Sequence, residues 1–416
     1  MERVIQMSSG VSWVKPRHQI IHDIIIGPVR LLFRVMYHFR GSRSALRRGS
    51  GPYLILANHT TPLDPVCLGS SFDFPIYYVA SDHIFRLGWI SRLLVWLVAP
   101  IPIVKSRVDL QTIKDMMTVV KQGGSVCLFP EGNRSFNGET VAFSASTAKL
   151  ARKLGVPVVL YRFEGGYLTA PRWADTVRRG RMTGWVVRVI SVAEMQGMTA
   201  EQLHEQINRE LSVNAFDAQL EAPVRYRGKR LAEALERFLY LCPNCNGMAT
   251  LKSNGDVLSC GCGLSARYTG TGFLEPAGMA AQPFKTVLDW DRWQKRALQQ
   301  WLGKRLDTAN NSPLLQDDGM SLYTCGRAGE NTLAGRGRLV LHRDRFVFED
   351  GHNSQSFPLA GIVRVIIHGK QALQFTDASG VTYEVKTDRP WSALKYMNVV
   401  ILLQNNGEVP DGFFSL

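Results

Sequence analysis

Short apolar runs alternate with longer stretches of helical period from Tyr53 to about Leu211. The runs at 53–57, 76–80, 101–104, 125–129, 156–163 and 184–192 are β-rich and bounded by turn residues, which predicts buried strands. Helices are predicted between and after them at 62–72, 84–97, 109–122, 143–154 and 199–212. This alternation points to an α/β domain with a largely parallel sheet over residues 51–215, preceded by an amphipathic segment at 1–50. Residues 229–241 read as helical within a linker helix at 216–241, which leads into a Gly-rich, cysteine-bearing module at 242–274. A Trp-rich helical linker is expected at 275–312. From 313 to 416 the pattern changes to hairpins, with turns at Asp350-Gly351, His368-Gly369 and Ser379-Gly380, and then a helix at 390–404. That predicts a β-rich C-terminal domain closed by a helix.

Length and charge sharpen this picture. A chain of 416 residues exceeds one ordinary core, and 45% hydrophobic with 20% charged residues excludes a disordered chain. The net charge of +14 favours an anionic partner. Residues 1–50 hold nine Lys/Arg against two Asp/Glu, half of that surplus. Between Ile20 and Arg40, Ile, Leu, Phe and Val are interleaved with Arg, as in a segment that lies in a membrane interface with its Arg toward lipid phosphates, or in an amphipathic helix packed on the adjacent domain. Asp23, Arg30 and Arg34 interrupt that run well short of the ~20 apolar residues a bilayer requires. With neither a spanning segment nor a cleavable signal peptide evident, the expected location is cytoplasmic, peripheral on the cytosolic membrane face.

Candidate chemistry sits just after two of the predicted strands. Asn58-His59-Thr60-Thr61-Pro62-Leu63-Asp64 follows one, and Phe129-Pro130-Glu131-Gly132-Asn133-Arg134-Ser135 ends another. Open α/β sheets bind ligands beyond the carboxyl ends of their strands, so the two strings can share a site. With Thr61 as N-cap and Pro62 at the first helical position, Asp64 falls in the first turn, from where its carboxylate reaches back toward His59. An imidazole oriented on one nitrogen by a carboxylate can take a proton with the other. Gly132 permits a sharp turn that presents Arg134, whose planar fork suits phosphate. A third strand candidate ends with Lys105 and Arg107. Cations beside a candidate base describe a site for a phosphorylated alcohol.

These strings resemble the glycerolipid acyltransferases of the 1-acylglycerol-3-phosphate acyltransferase type. That family's Asn-His-x4-Asp block, a block ending in Arg, a Phe-Pro-Glu-Gly-Thr-Arg-Ser block and a Val-Pro-Val strand appear in order at 58–64, 99–107, 129–135 and 156–161. The resemblance covers about residues 20–215. It implies that His59 is the general base and that Asp64 fixes its tautomer. It further implies that Arg107, Glu131, Gly132 and Arg134 shape the acceptor phosphate site. The implied reaction moves an acyl group from acyl-CoA or acyl-carrier protein to a lysophospholipid acceptor, with no covalent acyl-enzyme and no catalytic cofactor. Asn133 replaces the usual Thr, and Leu160-Tyr161 stand where the fourth block usually has a proline, which puts acceptor identity in doubt. Glycerol-3-phosphate or another lysolipid is the alternative acceptor. A lipid-binding or recruiting protein with an idle acyltransferase fold is the alternative without catalysis, and it leaves the base without a purpose.

Four of the seven cysteines are clustered. Cys242, Cys245, Cys260 and Cys262 form a Cys-x2-Cys…Cys-x-Cys set that resembles a zinc ribbon, and four thiolates leave no open position, so a bound Zn would be structural. The C-terminal region resembles a pleckstrin-homology-type barrel in topology. Lys285, Arg292, Lys295, Arg296, Lys304, Arg305, Arg336, Arg338, Arg343 and Arg345 could offer a lipid-headgroup surface or simply the solvated basic face of a scaffolding domain. Nucleic acid is not the expected partner, since it leaves the first half of the chain unexplained.

Overall fold

Leu54, Ile55, Leu56 and Ala57 are all fully buried, as a strand covered on both faces requires. In the computed structural model, which describes residues 12–81, 84–85, 88–103, 110–278, 282–307, 312–326, 331–351, 353–410 and 413, this strand is the middle of a seven-stranded sheet. The chain divides into two compact units, one reaching to Pro171 and resuming over Arg178–Arg227, the other comprising Arg172–Val177 and the residues from Gly228 on.

In the first unit the strands are β1 (Phe39–Gly41), β2 (Leu54–Ala57), β3 (Ile76–Ser81), β4 (Ile101–Ile103), β5 (Ser125–Leu128), β6 (Val158–Glu164) and β7 (Met182–Ile190). Their order is β1-β7-β6-β2-β5-β3-β4. The sheet is mixed: β6 and β7 pair antiparallel, while the other neighbours pair parallel. Alternate residues feed two cores. Leu54, Leu56, Val126, Val158 and Leu160 face one, and Ile55, Ala57, Cys127, Val159 and Tyr161 face the other. The helices are α1 (Pro16–Met36), α2 (Asp64–Gly69), α3 (Trp89–Val98), α4 (Leu110–Lys121), α5 (Ser146–Leu154), α6 (Gly166–Thr169), α7 (Val192–Gln196), α8 (Ala200–Leu211) and α9 (Asp217–Glu221).

Two expectations about this unit change. Pro62 and Thr61 precede the helix, which begins at Asp64 with Leu63 at its N-cap position, and the Thr61 hydroxyl accepts the Leu63 N–H within the loop. Arg30, expected to face lipid phosphates, instead donates to the carbonyls of Ser70 and Phe72 just past the end of α2. Those carbonyls lie where a helix leaves acceptors unpaired, so a nearby guanidinium is drawn inward.

The second unit contains a four-stranded antiparallel sheet of β8 (Leu251–Asn254), β9 (Val257–Cys260), β10 (Ser265–Tyr268) and β11 (Leu274–Pro276). Helix α10 (Val287–Leu306) follows, opened by a Thr286–Asp289 capping box. Then come β12 (Leu315–Cys325), β13 (Asn331–Leu341), β14 (Arg345–Glu349), β15 (Ser354–Pro358), β16 (Ile362–His368), β17 (Ala372–Asp377) and β18 (Thr382–Lys386), with α11 (Ala393–Gln404) last. All neighbouring pairs in this sheet are antiparallel, in the order β15-β14-β13-β12-β18-β17-β16. The region is thus β-rich and ends in a helix.

Residues 229–241 are turns with a 3-10 turn at Leu235–Arg237, where a helix was expected. The N–H groups of Leu231, Ala232 and Ala234 are taken by Asp256, Gly255 and Ser253 of the β8–β9 hairpin, and Ala234 has a left-handed φ of 68°. Competition from the hairpin outweighs the segment's helical propensity. Lys295, placed on a basic surface by the sequence reading, is 1% exposed and pairs with Asp291 at 2.9 Å. Helix α10 is packed on this side, with Trp290 donating its indole N–H to the Leu241 carbonyl.

Candidate active site

Strands β2 and β5 pair parallel with Leu56 opposite Leu128. His59 and Glu131 therefore each stand three residues beyond a matched pair, at the same edge of the sheet, although 72 positions separate them. Once the strands end, side chains take over from ladder bonds. The Glu131 carboxylate accepts the His59 backbone N–H at 2.5 Å and the Val141 N–H at 3.2 Å. On the other flank of β2, the buried Asn58 amide both donates to the Phe163 carbonyl at 3.0 Å and accepts the Phe163 N–H at 2.7 Å. The loop bearing His59 is thus tied to both neighbouring strands.

Asp64 holds the imidazole. Its Oδ2 lies 2.9 Å from His59 Nδ1 and also accepts the N–H groups of Thr60 and Thr61, at 2.5 and 2.9 Å. Its Oδ1 accepts the hydroxyls of Thr60 and Thr61 at 3.1 and 2.8 Å. Asp64 is fully buried, so a carboxylate there needs such a set of donors. The His59 ring stacks on Phe129 with centroids 4.5 Å apart and keeps 21% of its side-chain surface exposed. An imidazole fixed through Nδ1 in this way has Nε2 left for proton transfer.

Gly132 adopts a φ of 68° with open space at its Cβ position, the left-handed turn the sequence reading required. Burial lowers the Arg134 pKa, and the Asp64 charge opposes that shift. Burial pushes the Glu131 carboxyl up to about 8, against the two N–H groups that favour its charged form; the Asp64 charge adds to the rise. Hydrogen bonds bring His59, Asp64 and Glu131 together, and Gly132 and Arg134 follow Glu131 in the same loop. Arg107 lies outside the described residues.

Four contributors were missed by the sequence reading. Asn58 was quoted within its string but given no role. Thr60 and Thr61 bind Asp64 with both N–H and O–H. Gly166 approaches the loop so closely that a Cβ there would sit 2.0 Å from Thr60 Oγ1. The adjoining Gly165-Gly166 pair was the signal available, since paired glycines after a strand mark close approach.

Comparison with known proteins fits these blocks. Residues 35–161 match the family model described as Acyltransferase. The chain is 29% identical over 167 residues to the 1-acyl-sn-glycerol-3-phosphate acyltransferase BAT2, chloroplastic, of Brassica napus, covering 39% of this chain and 46% of that protein. It is 29% identical over 118 residues to the 1-acyl-sn-glycerol-3-phosphate acyltransferase of Borreliella burgdorferi, covering 26% and 45% respectively. The chain thus spans less than half the length of these relatives. Among solved structures, the 1-acyl-sn-glycerophosphate (LPA) acyltransferase PlsC from Thermotoga maritima aligns with a TM-score of 0.40 and 17% identity, covering 50% of this chain and 85% of that one.

In the second unit, the sulfur atoms of Cys242, Cys245, Cys260 and Cys262 all lie within 4.8 Å of one another. The Cys242–Cys262 and Cys245–Cys260 pairs are 3.6 and 3.8 Å apart. The four cysteines are a cluster able to hold a metal ion.

Proposed function

We propose that the protein is an O-acyltransferase that esterifies a phosphorylated glycerol lipid, 1-acylglycerol-3-phosphate above other acceptors, using acyl-CoA or acyl-carrier protein. The observation that carries this reading is the His59 Nδ1–Asp64 Oδ2 contact of 2.9 Å. His59 Nε2 takes the proton of the acceptor hydroxyl as its oxygen attacks the thioester carbonyl; the C–S bond then breaks and the imidazolium returns the proton to the leaving thiolate. Arg134, with Arg107, pairs with the acceptor phosphate, and the exposed turn at Gly132 gives the headgroup access. Acyl transfer to 1-acylglycerol-3-phosphate, glycerol-3-phosphate and neutral lysolipids, measured against a His59→Ala blank, tests this. Preference for a neutral acceptor would contradict the phosphate assignment.

A membrane surface fits the same unit. No helix among the described residues is long and apolar enough to cross a membrane. Helix α1 nevertheless exposes Ile20, Ile24, Leu31, Leu32 and Val35, and α3 exposes Trp89, Leu93 and Trp96. The two helices touch, with the Arg17 guanidinium 5.4 Å from the centre of the Trp96 ring. Exposed apolar surface of this extent marks an interaction face, and Trp beside Arg suits the interface of an anionic bilayer. A Trp89→Ser/Trp96→Ser variant is expected to bind anionic vesicles at least ~10-fold more weakly in a sedimentation assay, given about 1.5–3 kcal/mol per buried large apolar side chain. Binding unchanged from wild type would remove α3 from the membrane face.

The four-cysteine cluster is proposed to hold a structural Zn. Zn–S bonds of about 2.3 Å in a tetrahedron give S···S edges of about 3.8 Å, which the two measured pairs match. Held there, the ion would join the Cys242–Cys245 turn to the end of the β9 strand. Purified protein should contain about one zinc per chain, and a chelator strong enough to strip it should lower the melting temperature. A zinc-free protein with an unchanged melt would dismiss the assignment. The strand order of the C-terminal sheet, four strands in meander followed by three, with a closing helix, supports a pleckstrin-homology-like reading of residues 313–416.

A further inference from the structure

The carboxyl group of Glu131 is occupied by the backbone. One oxygen accepts the His59 N–H and the other the Val141 N–H. Its position explains why. Beyond Leu56 and Leu128 strands β2 and β5 no longer exchange ladder bonds, so the N–H of His59 needs an acceptor from elsewhere. The cleft that Glu131 lines together with Asn58, His59, Ser135 and Tyr167 is narrow, about 20 Å³.

We propose that Glu131 is a positioning residue, bridging the loop after β5 to the backbone of His59 and thereby setting where the imidazole meets the acceptor hydroxyl, and that it makes no contact with the headgroup. This rests on the reading of His59 as the base. Glutamine at this position keeps one acceptor oxygen but turns an NH2 toward the second backbone N–H, so it retains half of the bridge. Alanine retains none.

The test compares Glu131→Ala and Glu131→Gln with wild type, using 1-acylglycerol-3-phosphate and a long-chain acyl-CoA, with His59→Ala as the blank. Displacement of a catalytic group by about 1 Å can lower turnover ~100-fold. The expected result is a kcat lowered ~100-fold in Glu131→Ala and ~10-fold in Glu131→Gln, with the acceptor KM within ~2-fold of wild type. A raised acceptor KM at retained kcat would make Glu131 a headgroup contact and overturn the proposal, as would unchanged kinetics. Hydrogen exchange of the peptide containing His59 supplies a readout independent of turnover. It should speed up in both variants and more in Glu131→Ala, and unchanged exchange overturns the bridge. If Glu131→Ala fails to fold, Glu131→Gln carries both measurements. A wild type no more active than the His59→Ala blank would defeat the acyltransferase reading, while the exchange result would still decide the bridge.

Discussion

Replacing His59 by alanine is expected to lower acyl transfer by ~10²–10⁴-fold, the range that a positioned general base contributes. The acceptor hydroxyl is a weak nucleophile while it keeps its proton, and the His59 imidazole is held by a buried carboxylate with exposed surface remaining. The fold should survive. His59 contributes its backbone N–H to Glu131 whatever side chain it bears, and its ring packs mainly on Phe129. Circular dichroism and a thermal melt close to wild type, together with lost turnover, would fit the assignment. Near wild-type turnover would eliminate His59 as the base.

Asp64 should separate chemistry from structure through two substitutions. In Asp64→Ala, the N–H groups of Thr60 and Thr61 and the His59 Nδ1 lose their shared acceptor in a buried site. With about 1–3 kcal/mol per stranded donor, and partial relief by relaxation, a loss of ~3–5 kcal/mol in stability is expected. Asp64→Asn keeps one oxygen for those three donors if its NH2 turns to the Thr60 and Thr61 hydroxyls, which can rotate to accept. That variant should stay close to wild type in its melt while turnover drops ~10²–10⁴-fold, because a neutral amide does not stabilise the imidazolium. A turnover in Asp64→Asn matching wild type would show that the pair is a loop fastening and not a catalytic dyad.

Much of the first unit was legible because its strands are buried on both faces. A run such as Leu54-Ile55-Leu56-Ala57 has few alternatives to a central strand, and β2 to β7 fall within two residues of the expected strands, whereas β1 at Phe39–Gly41 was not expected. Burial was harder to read for charged side chains. Arg30 and Lys295 were placed at the surface on composition, yet one caps the end of α2 and the other is enclosed with Asp291. A charge turns inward where carbonyls or a carboxylate are left over, and such surpluses arise only once elements pack. The segment 229–241 failed for a related reason, since its helical pattern competes with a hairpin that lies later in the chain.

The sequence by itself determined the site's chemical inventory: a histidine with a carboxylate five positions on, a glycine turn bearing an arginine, and four cysteines in two close pairs. It also determined that the two polar strings follow strands. Only the tertiary structure decided which partners each group binds. The parallel register of β2 and β5 puts His59 level with Glu131, and that alignment makes the Glu131 carboxyl an acceptor for the His59 backbone N–H. Spacing along a chain fixes which groups are near in sequence. Hydrogen-bond partners across 72 residues depend on strand register, and register is set by the packing of the whole sheet.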